Sequence, residues 1–410
     1  MSLLSVDEAR ERILAQFQPV KTEILPLADS LQRVLAQDVR AADDLPLFDN
    51  SSMDGFALRA ENVTGAAPAS PRRLRVVTDI PAGSFPTIDI APGEAARIMT
   101  GAPMPEGADA VVPVEDTDFD HRDAGTQAPE YVAVQKAVRS GENVRPRGMD
   151  LHAGDVVLQA GRQLKPQDLG LLAMLGVSSV TIHRRPRVAL LSSGDELVDP
   201  DAPLEKGKIR DSNSYTLAAL IESAGAQPLR LGVAKDNYDS VKLLFERAVF
   251  LGADLILSSA GVSVGAFDFV KSVIEDHGKM DFWRVNMRPG KPVAFGEYKG
   301  IRVIGLPGNP VSAFVGFEVF VRPAIQKLSG FHHIGRQIIR VRCEEEIRSD
   351  GRESYLRGEV QEVDGSLIAR LTGHQGSGNL HSLVQANALL IITAGVKCVP
   401  AGQEITAWML

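Results

Sequence analysis

The stretch from Asp254 to Asp268 constrains the fold more than any other part of the chain. Leu255, Ile256 and Leu257 form an apolar run short enough for a buried strand. The run breaks into a loop of small residues containing Gly261, Ser263 and Gly265, and a helical pattern begins at Asp268. A strand that enters a Gly/Ser loop and then a helix start presents free backbone N–H groups and the positive helix end to an anion. The surrounding rhythm supports this. Strand patterns at 188–191, 229–233, 255–257, 293–295 and 302–305 alternate with helical patterns at 215–224, 240–251, 269–276 and 311–325. That alternation predicts an α/β domain built on a parallel, doubly wound sheet, with ligands at the C-terminal ends of its strands.

Four loops fall at those strand ends. The first holds Ser193, Gly194, Asp195 and Glu196, and the second is the Gly261–Gly265 loop with Asp268. The third is Arg288-Pro289-Gly290-Lys291-Pro292, and the fourth is Pro307-Gly308-Asn309-Pro310. Each has an ordinary structural account taken singly. Glu196 or Asp268 suits a helix N-terminus, and Asn309 before Pro310 reads as an N-cap. Together they supply hydroxyls, backbone N–H groups, two cations and several carboxylates. Carboxylates repel an anion unless a divalent cation bridges them. Mg²⁺ suits that task, because it takes one or two carboxylates plus phosphate oxygens. The residues therefore point to a phosphorylated ligand held with Mg²⁺.

Elsewhere the patterns are those of framework. Ser5 and Glu8 form a capping box ahead of a helix carrying Val6, Ala9, Ile13 and Phe17. A second short helix is expected near 29–35, and another at 166–175. Residues 41–60 are rich in short polar side chains around Asp49, Asp54 and Gly55; composition alone favours a surface Asx turn over a pocket with Asp49 and Asp54 as acid/base groups or cation ligands. From 72 to 140 the pattern is β, with a stiff turn around Thr100, Gly101 and Pro103. Arg139, Arg145 and Arg147 precede Asp150 in a run that reads as a solvated face or a phosphate holder. After about 328 the alternation implies a small, barrel-like β domain. A domain boundary is expected at Arg184-Arg185-Pro186-Arg187, ahead of the α/β rhythm, and the pattern changes again after about 328.

Composition limits the partners. The formal charge of −8 argues against general nucleic-acid or anionic-membrane binding. No apolar run approaches the roughly 20 residues of a membrane span. Two cysteines make no disulfide framework and have no metal-ligand spacing, so a reducing, cytoplasmic setting is expected. There is no dinucleotide fingerprint, no Walker sequence and no zinc spacing among the histidines.

The ordered set of motifs resembles the molybdopterin molybdenumtransferases of molybdenum-cofactor assembly, a family that includes the C-terminal domain of gephyrin. The matching residues run from Asp49 to Ala57, through Met99-Thr100-Gly101-Ala102-Pro103, Ser193-Gly194-Asp195-Glu196-Leu197, the Gly261–Gly265 loop with Asp268, Pro289 to Pro292, and Gly305 to Ser312. Gly376-Ser377-Gly378 with Ala386-Asn387 matches too. Each motif is weak alone; their order and spacing are specific and span nearly the whole chain.

The resemblance implies an elongated homodimer of four-domain subunits: an extended framework domain of 1–42 and 142–183, a β-rich domain of 43–141, an α/β molybdopterin-binding domain of 184–328 and a C-terminal β domain of 329–410, with a site between the α/β domain of one chain and the Asp54/Thr100 domain of the other. Molybdate and adenylylated molybdopterin are the implied substrates, AMP is released, and Mg²⁺ is required. It places Asp54, Asp150, Glu196, Asp236, Asp268 and Lys291 in the catalytic set, with Glu196 and Asp268 on the metal. It places Thr100, Ser193, Gly194, Gly261, Ser263, Gly265, Arg288, Pro307, Gly308, Asn309 and Pro310 against substrate. The molybdopterin adenylyltransferase and acceptor molybdoenzymes are implied partners. Departures from the family pattern are Ala260, Ala266 and Arg288, where Gly, Glu and Lys are frequent. Two other readings are adenylylation of molybdopterin, against which the extra domains argue, and a non-catalytic scaffold of the same fold, against which the intact acidic set argues.

Overall fold

The computed structural model describes residues 3–119, 125–260 and 266–410. Gly261, Ser263 and Gly265 lie outside the described residues, as do the side chains of Ala260, Ala266 and Asp268. Two units emerge: Met1–Gln37, Ala160–Ala173 and Val177–Leu410 form one, and Asp38–Gln159 with Met174–Gly176 forms the other.

The larger unit begins with α1 (Val6–Ala15), whose capping box is formed as expected: the Glu8 N–H donates to the Ser5 hydroxyl and the Ser5 N–H to the Glu8 carboxylate. Such a cap is worth about 1 kcal/mol. Val6, Ala9, Ile13 and Phe17 are buried on one face, packed in the same core as Leu328 and Val319. The stretch near 29–35 is not helical. Gln32 adopts φ 62°, and Val34–Leu35 joins a sheet opposite Ile182 and His183, so long-range pairing overrides the local pattern. Helix α2 (Pro166–Met174) follows.

The α/β region runs β1 (Arg187–Ser193), α3 (Asn213–Ser223), β2 (Gln227–Ala234), α4 (Tyr238–Phe250), β3 (Leu255–Ala260), α5 (Ala266–His277), β4 (Gly278–Arg284), β5 (Pro292–Tyr298), β6 (Ile301–Pro307) and α6 (Pro310–Gly316). The sheet order is β2-β1-β3-β6-β5-β4. The first four strands are parallel, and β5 and β4 extend the sheet antiparallel. The sheet is therefore mixed rather than wholly parallel, because the short turn at 299–300 allows only a hairpin between β5 and β6. Val241, Phe245, Ala248, Val270, Val273 and Ile274 of α4 and α5 cover one face. Leu217, Leu220, Ile221, Val311, Ala313 and Val315 of α3 and α6 cover the other. Burial on both faces makes strands such as β3 apolar without alternation.

The helix expected over 311–325 is interrupted. A π turn, Phe317–Val321, separates α6 from α7 (Arg322–Leu328). Then come β7 (Ile338–Cys343), β8 (Glu353–Val363), β9 (Ser366–Leu371), β10 (Ala388–Ile392) and β11 (Glu404–Met409). They pair in the order β8-β9-β7-β11-β10, and β8 pairs again with β10, which closes the expected small barrel.

In the smaller unit a five-stranded sheet has Gly55–Leu58 between Glu94–Ile98 and Ala110–Pro113. No helix among the described residues is long and apolar enough to cross a membrane.

Candidate active site

Because β1, β3 and β6 are parallel, their C-terminal ends share one edge. A cavity of about 380 Å³ opens there, lined by Ser193, Glu196, Arg210, Asn213, Ser259 and Asn309, with Gly308 and Pro310 completing its wall. Asn213, at the start of α3, fixes two of these ends: its amide donates to Ser259 Oγ at 2.8 Å and to the Gly308 carbonyl at 2.8 Å. Ser193 and Ser258 are buried with hydroxyl oxygens that have no partner among the described residues. A buried hydroxyl left unpaired is costly, so Ser193, which lines the cavity, suits a ligand that brings its own polar atoms.

Gly194 has φ 152°, and a Cβ there would stand 2.7 Å from the Glu196 carboxylate. The glycine thus lets Glu196 fold back over the strand end. Next to it, Asp195 and Asp236 accept each other's backbone N–H groups at 3.3–3.4 Å. Asp236 Oδ1 is buried and unpartnered among the described residues. A carboxylate oxygen left without a donor in such a place suits a cation. The described residues hold no group of three His, Cys, Asp or Glu side chains with metal-binding geometry.

The third and fourth loops meet the barrel. Met287–Arg288 pairs with β8, setting Arg288 opposite Ser354. Lys291 is exposed, and Pro307 is buried at the end of β6. Asn309 precedes α6, with Pro310 at the first turn, yet its side chain does not cap the helix. It donates instead to Ser377 Oγ at 3.0 Å, while the Ser377 carbonyl accepts the Val311 N–H at 3.1 Å. The 374–379 loop of the barrel thus docks on the start of α6.

Several residues of this region, Arg210, Asn213, Ser259 and Arg357, are absent from the sequence-based set. Arg357, on β8, is fully buried and has no carboxylate partner among the described residues. Nε donates to Ser382 Oγ at 2.9 Å, Nη2 donates to the carbonyls of His374 and Gly376 at 3.3 and 3.0 Å, and Nη1 has no partner among the described residues. Burial pushes its pKa down to about 10, and the nearby Arg288 charge adds to the effect. Nothing in the sequence singles it out, because the burial of 354–358 around it exists only in the folded chain.

In the smaller unit, Asp54 Oδ1 accepts from both the N–H and the hydroxyl of Thr100, each at 2.7 Å. Gly55 is required beside it, since a Cβ would stand 2.0 Å from the Val112 carbonyl. Asp150 pairs with Arg145 at 2.8 Å. Arg147 is held by Asp44 at 2.6 Å, and its N–H donates to Asp49 at 2.6 Å. Two arginines of the 139–150 run are thus occupied by carboxylates of the same unit.

The structure gathers Ser193, Glu196, Gly308, Asn309 and Pro310 around one cavity, with Asp236 in the adjoining turn. It gathers Asp54 and Thr100 in the other unit.

Comparison with known proteins converges on one family. Family models described as "MoeA N-terminal region (domain I and II)", "Probable molybdopterin binding domain" and "MoeA C-terminal region (domain IV)" match residues 4–176, 189–327 and 340–410. A molybdopterin molybdenumtransferase of Nostoc is 39% identical over 396 residues, covering 95% of this chain and 89% of the relative. A molybdopterin molybdenumtransferase 2 of Mycobacterium tuberculosis is 38% identical, covering 99% of each chain. The crystal structure of a molybdopterin biosynthesis MoeA protein from Pyrococcus horikoshii superposes with a TM-score of 0.83 at 29% identity, covering 100% of both chains. On this ground the chain belongs to the molybdopterin molybdenumtransferase family.

Proposed function

We propose that the protein transfers molybdenum from molybdate to adenylylated molybdopterin and releases AMP. The observation that carries this reading is Arg357: a buried guanidinium with no carboxylate, beside Arg288 and wrapped by the loop that brings Ser377 to Asn309. A cation desolvated in this way is stabilised by a small oxyanion. The molybdate oxygens take their hydrogen bonds from Arg357, Arg288 and Ser377, with Lys291 screening charge at the rim. The adenylylated pterin lies in the strand-end cavity, its phosphate against Ser193, the Gly261–Gly265 loop and Gly308. Two anions would otherwise repel each other, so positive charge preplaced around both is where the acceleration arises.

Mg²⁺ fits the carboxylates present. Asp236, in the turn adjoining the cavity, has an unpaired buried oxygen, and Glu196 lines the cavity. With Asp268 these residues would hold the ion, which when bound neutralises charge on the phosphate oxygens. Asp54, Thr100 and Asp150 belong to the functional set of a homodimer. The reading includes the four-domain division, a cytoplasmic setting, and exchange of substrate and product with the adenylyltransferase and acceptor molybdoenzymes. The adenylyltransferase and scaffold readings are not favoured, since the relatives match across the N-terminal and C-terminal regions as well as the α/β region.

The test is a turnover assay with purified protein, adenylylated molybdopterin, Mg²⁺ and molybdate. AMP release that requires molybdate is expected. No release at any molybdate concentration, or consumption of ATP, overturns the reading.

A further inference from the structure

Glu318 lies in the π turn between α6 and α7 and is fully buried. Arg322 grips it at both oxygens, at 2.6 and 3.0 Å. Arg336 grips it a second time, at 2.8 and 2.9 Å. The two guanidiniums have different structural consequences. Arg322 stands one turn along the same helical stretch and alone neutralises the carboxylate. Arg336 lies in the connection to the barrel, 329–337, and makes the buried group net positive. Electrostatics within the α/β region does not require it. What it does is tie that connection to the helix whose other end, α6, starts at Asn309 and Pro310. The following residue, Gln337, already belongs to the barrel edge, because its carbonyl accepts the Met409 N–H at 3.1 Å. A π turn is a place where a helix departs from its regular register, often at a functional site.

We infer that Arg336 is a positioning residue for the molybdate half of the reaction. Its fork on Glu318 sets the angle at which the barrel leaves α7. That angle decides whether Ser377 reaches Asn309 and whether Arg357 faces Arg288. The strand-end cavity shares Asn309 with the barrel contact, while Ser193, Glu196, Asn213 and Ser259 of its wall belong to the α/β region. Arg336 therefore acts on the molybdate site more than on the strand-end cavity. The inference rests on the molybdate site proposed above.

The experiment uses the full chain with Arg336→Gln and Arg336→Lys. Arg336→Gln leaves the Glu318–Arg322 pair neutral and the Gly335 N–H to Gln326 bond at 2.7 Å in place, so the protein remains folded. Steady-state AMP release is measured against molybdate and, separately, against adenylylated molybdopterin. Sub-ångström displacement of a site of this kind costs roughly tenfold or more. Arg336→Gln is expected to raise the KM for molybdate by that factor and the KM for the pterin by much less. Arg336→Lys, which keeps the charge but not the fork, is expected to fall between. An unchanged molybdate KM in Arg336→Gln overturns the inference, and so does an equal rise in both KM values. If the wild-type protein releases no AMP, the functional reading fails, and amide hydrogen exchange in 374–379 decides the clamp: faster exchange in Arg336→Gln upholds it and unchanged exchange overturns it.

Discussion

Replacing Arg357 with Met separates what this side chain does for the fold from what it does for an anion. Burial, with the Arg288 charge adding, holds its guanidinium near a pKa of about 10. That corresponds to roughly 3 kcal/mol set against the charged form in the folded protein. The sign follows from linkage: the penalty is present in full at neutral pH and is relieved as pH rises through about 10, where the folded state releases the proton before the unfolded chain does. Against it stand three hydrogen bonds, to Ser382, His374 and Gly376, each worth about 1 kcal/mol net. The two contributions nearly cancel. Met fills a similar length without a charge, so Arg357→Met is expected to unfold within a few degrees of the wild type. Calorimetry with and without molybdate is the assay. A ligand at a hundred times its Kd stabilises by about 2.7 kcal/mol, and the wild type is expected to gain that while the variant gains nothing. AMP release is lost in the variant. A large loss of stability in Arg357→Met would show that Arg357 serves to pin the 374–379 loop. Equal stabilisation of both proteins by molybdate would place the anion elsewhere. Either result refutes the reasoning.

Other consequences are as direct. Glu318→Gln leaves the buried Arg322 and the half-buried Arg336 without a carboxylate and is expected to cost about 3–5 kcal/mol in urea unfolding at neutral pH. Burial pushes Glu318 up, but the forks of Arg336 and Arg322 outweigh it and hold the carboxyl below the usual range. Its contribution is thus complete at neutral pH and is lost as pH falls through that lowered value, which acid titration of the wild type checks. Thr100→Val removes one of the two bonds to Asp54 Oδ1, worth about 1 kcal/mol, so melting is expected to fall by a few degrees at most and kcat roughly fivefold. Chelation of Mg²⁺ is expected to abolish AMP release and readdition to restore it, and Asp236→Ala is expected to raise the Mg²⁺ concentration needed for half-maximal rate.

The strand ends of the α/β region were legible because apolar runs broken by Gly and Ser mark buried parallel strands directly. Three features were not legible, each for a physical reason. Strand direction is not encoded in an apolar run, so the antiparallel β5 and β4 emerge only from the hairpin at 299–300. The helical spacing near 29–35 is local, whereas the pairing of Val34 and Leu35 with His183 and Ile182 joins residues far apart in the chain. Asn309 fits the N-cap rule in sequence, yet Ser377, 68 residues away, takes its side chain. The same limit hid Arg357 from the site. Its importance lies in the carboxylate it lacks, and a missing partner is visible only once neighbours are in place. Among the expected site residues, those grouped in short motifs after strands share a cavity, as Ser193, Glu196 and Asn309 do.

A crystal grown with molybdate and diffracted at the molybdenum absorption edge tests the central claim most directly. The account predicts one strong anomalous peak within hydrogen-bond reach of Arg357, Arg288 and Ser377, absent in Arg357→Met. A peak at any other place, or the same peak in the variant, would contradict it.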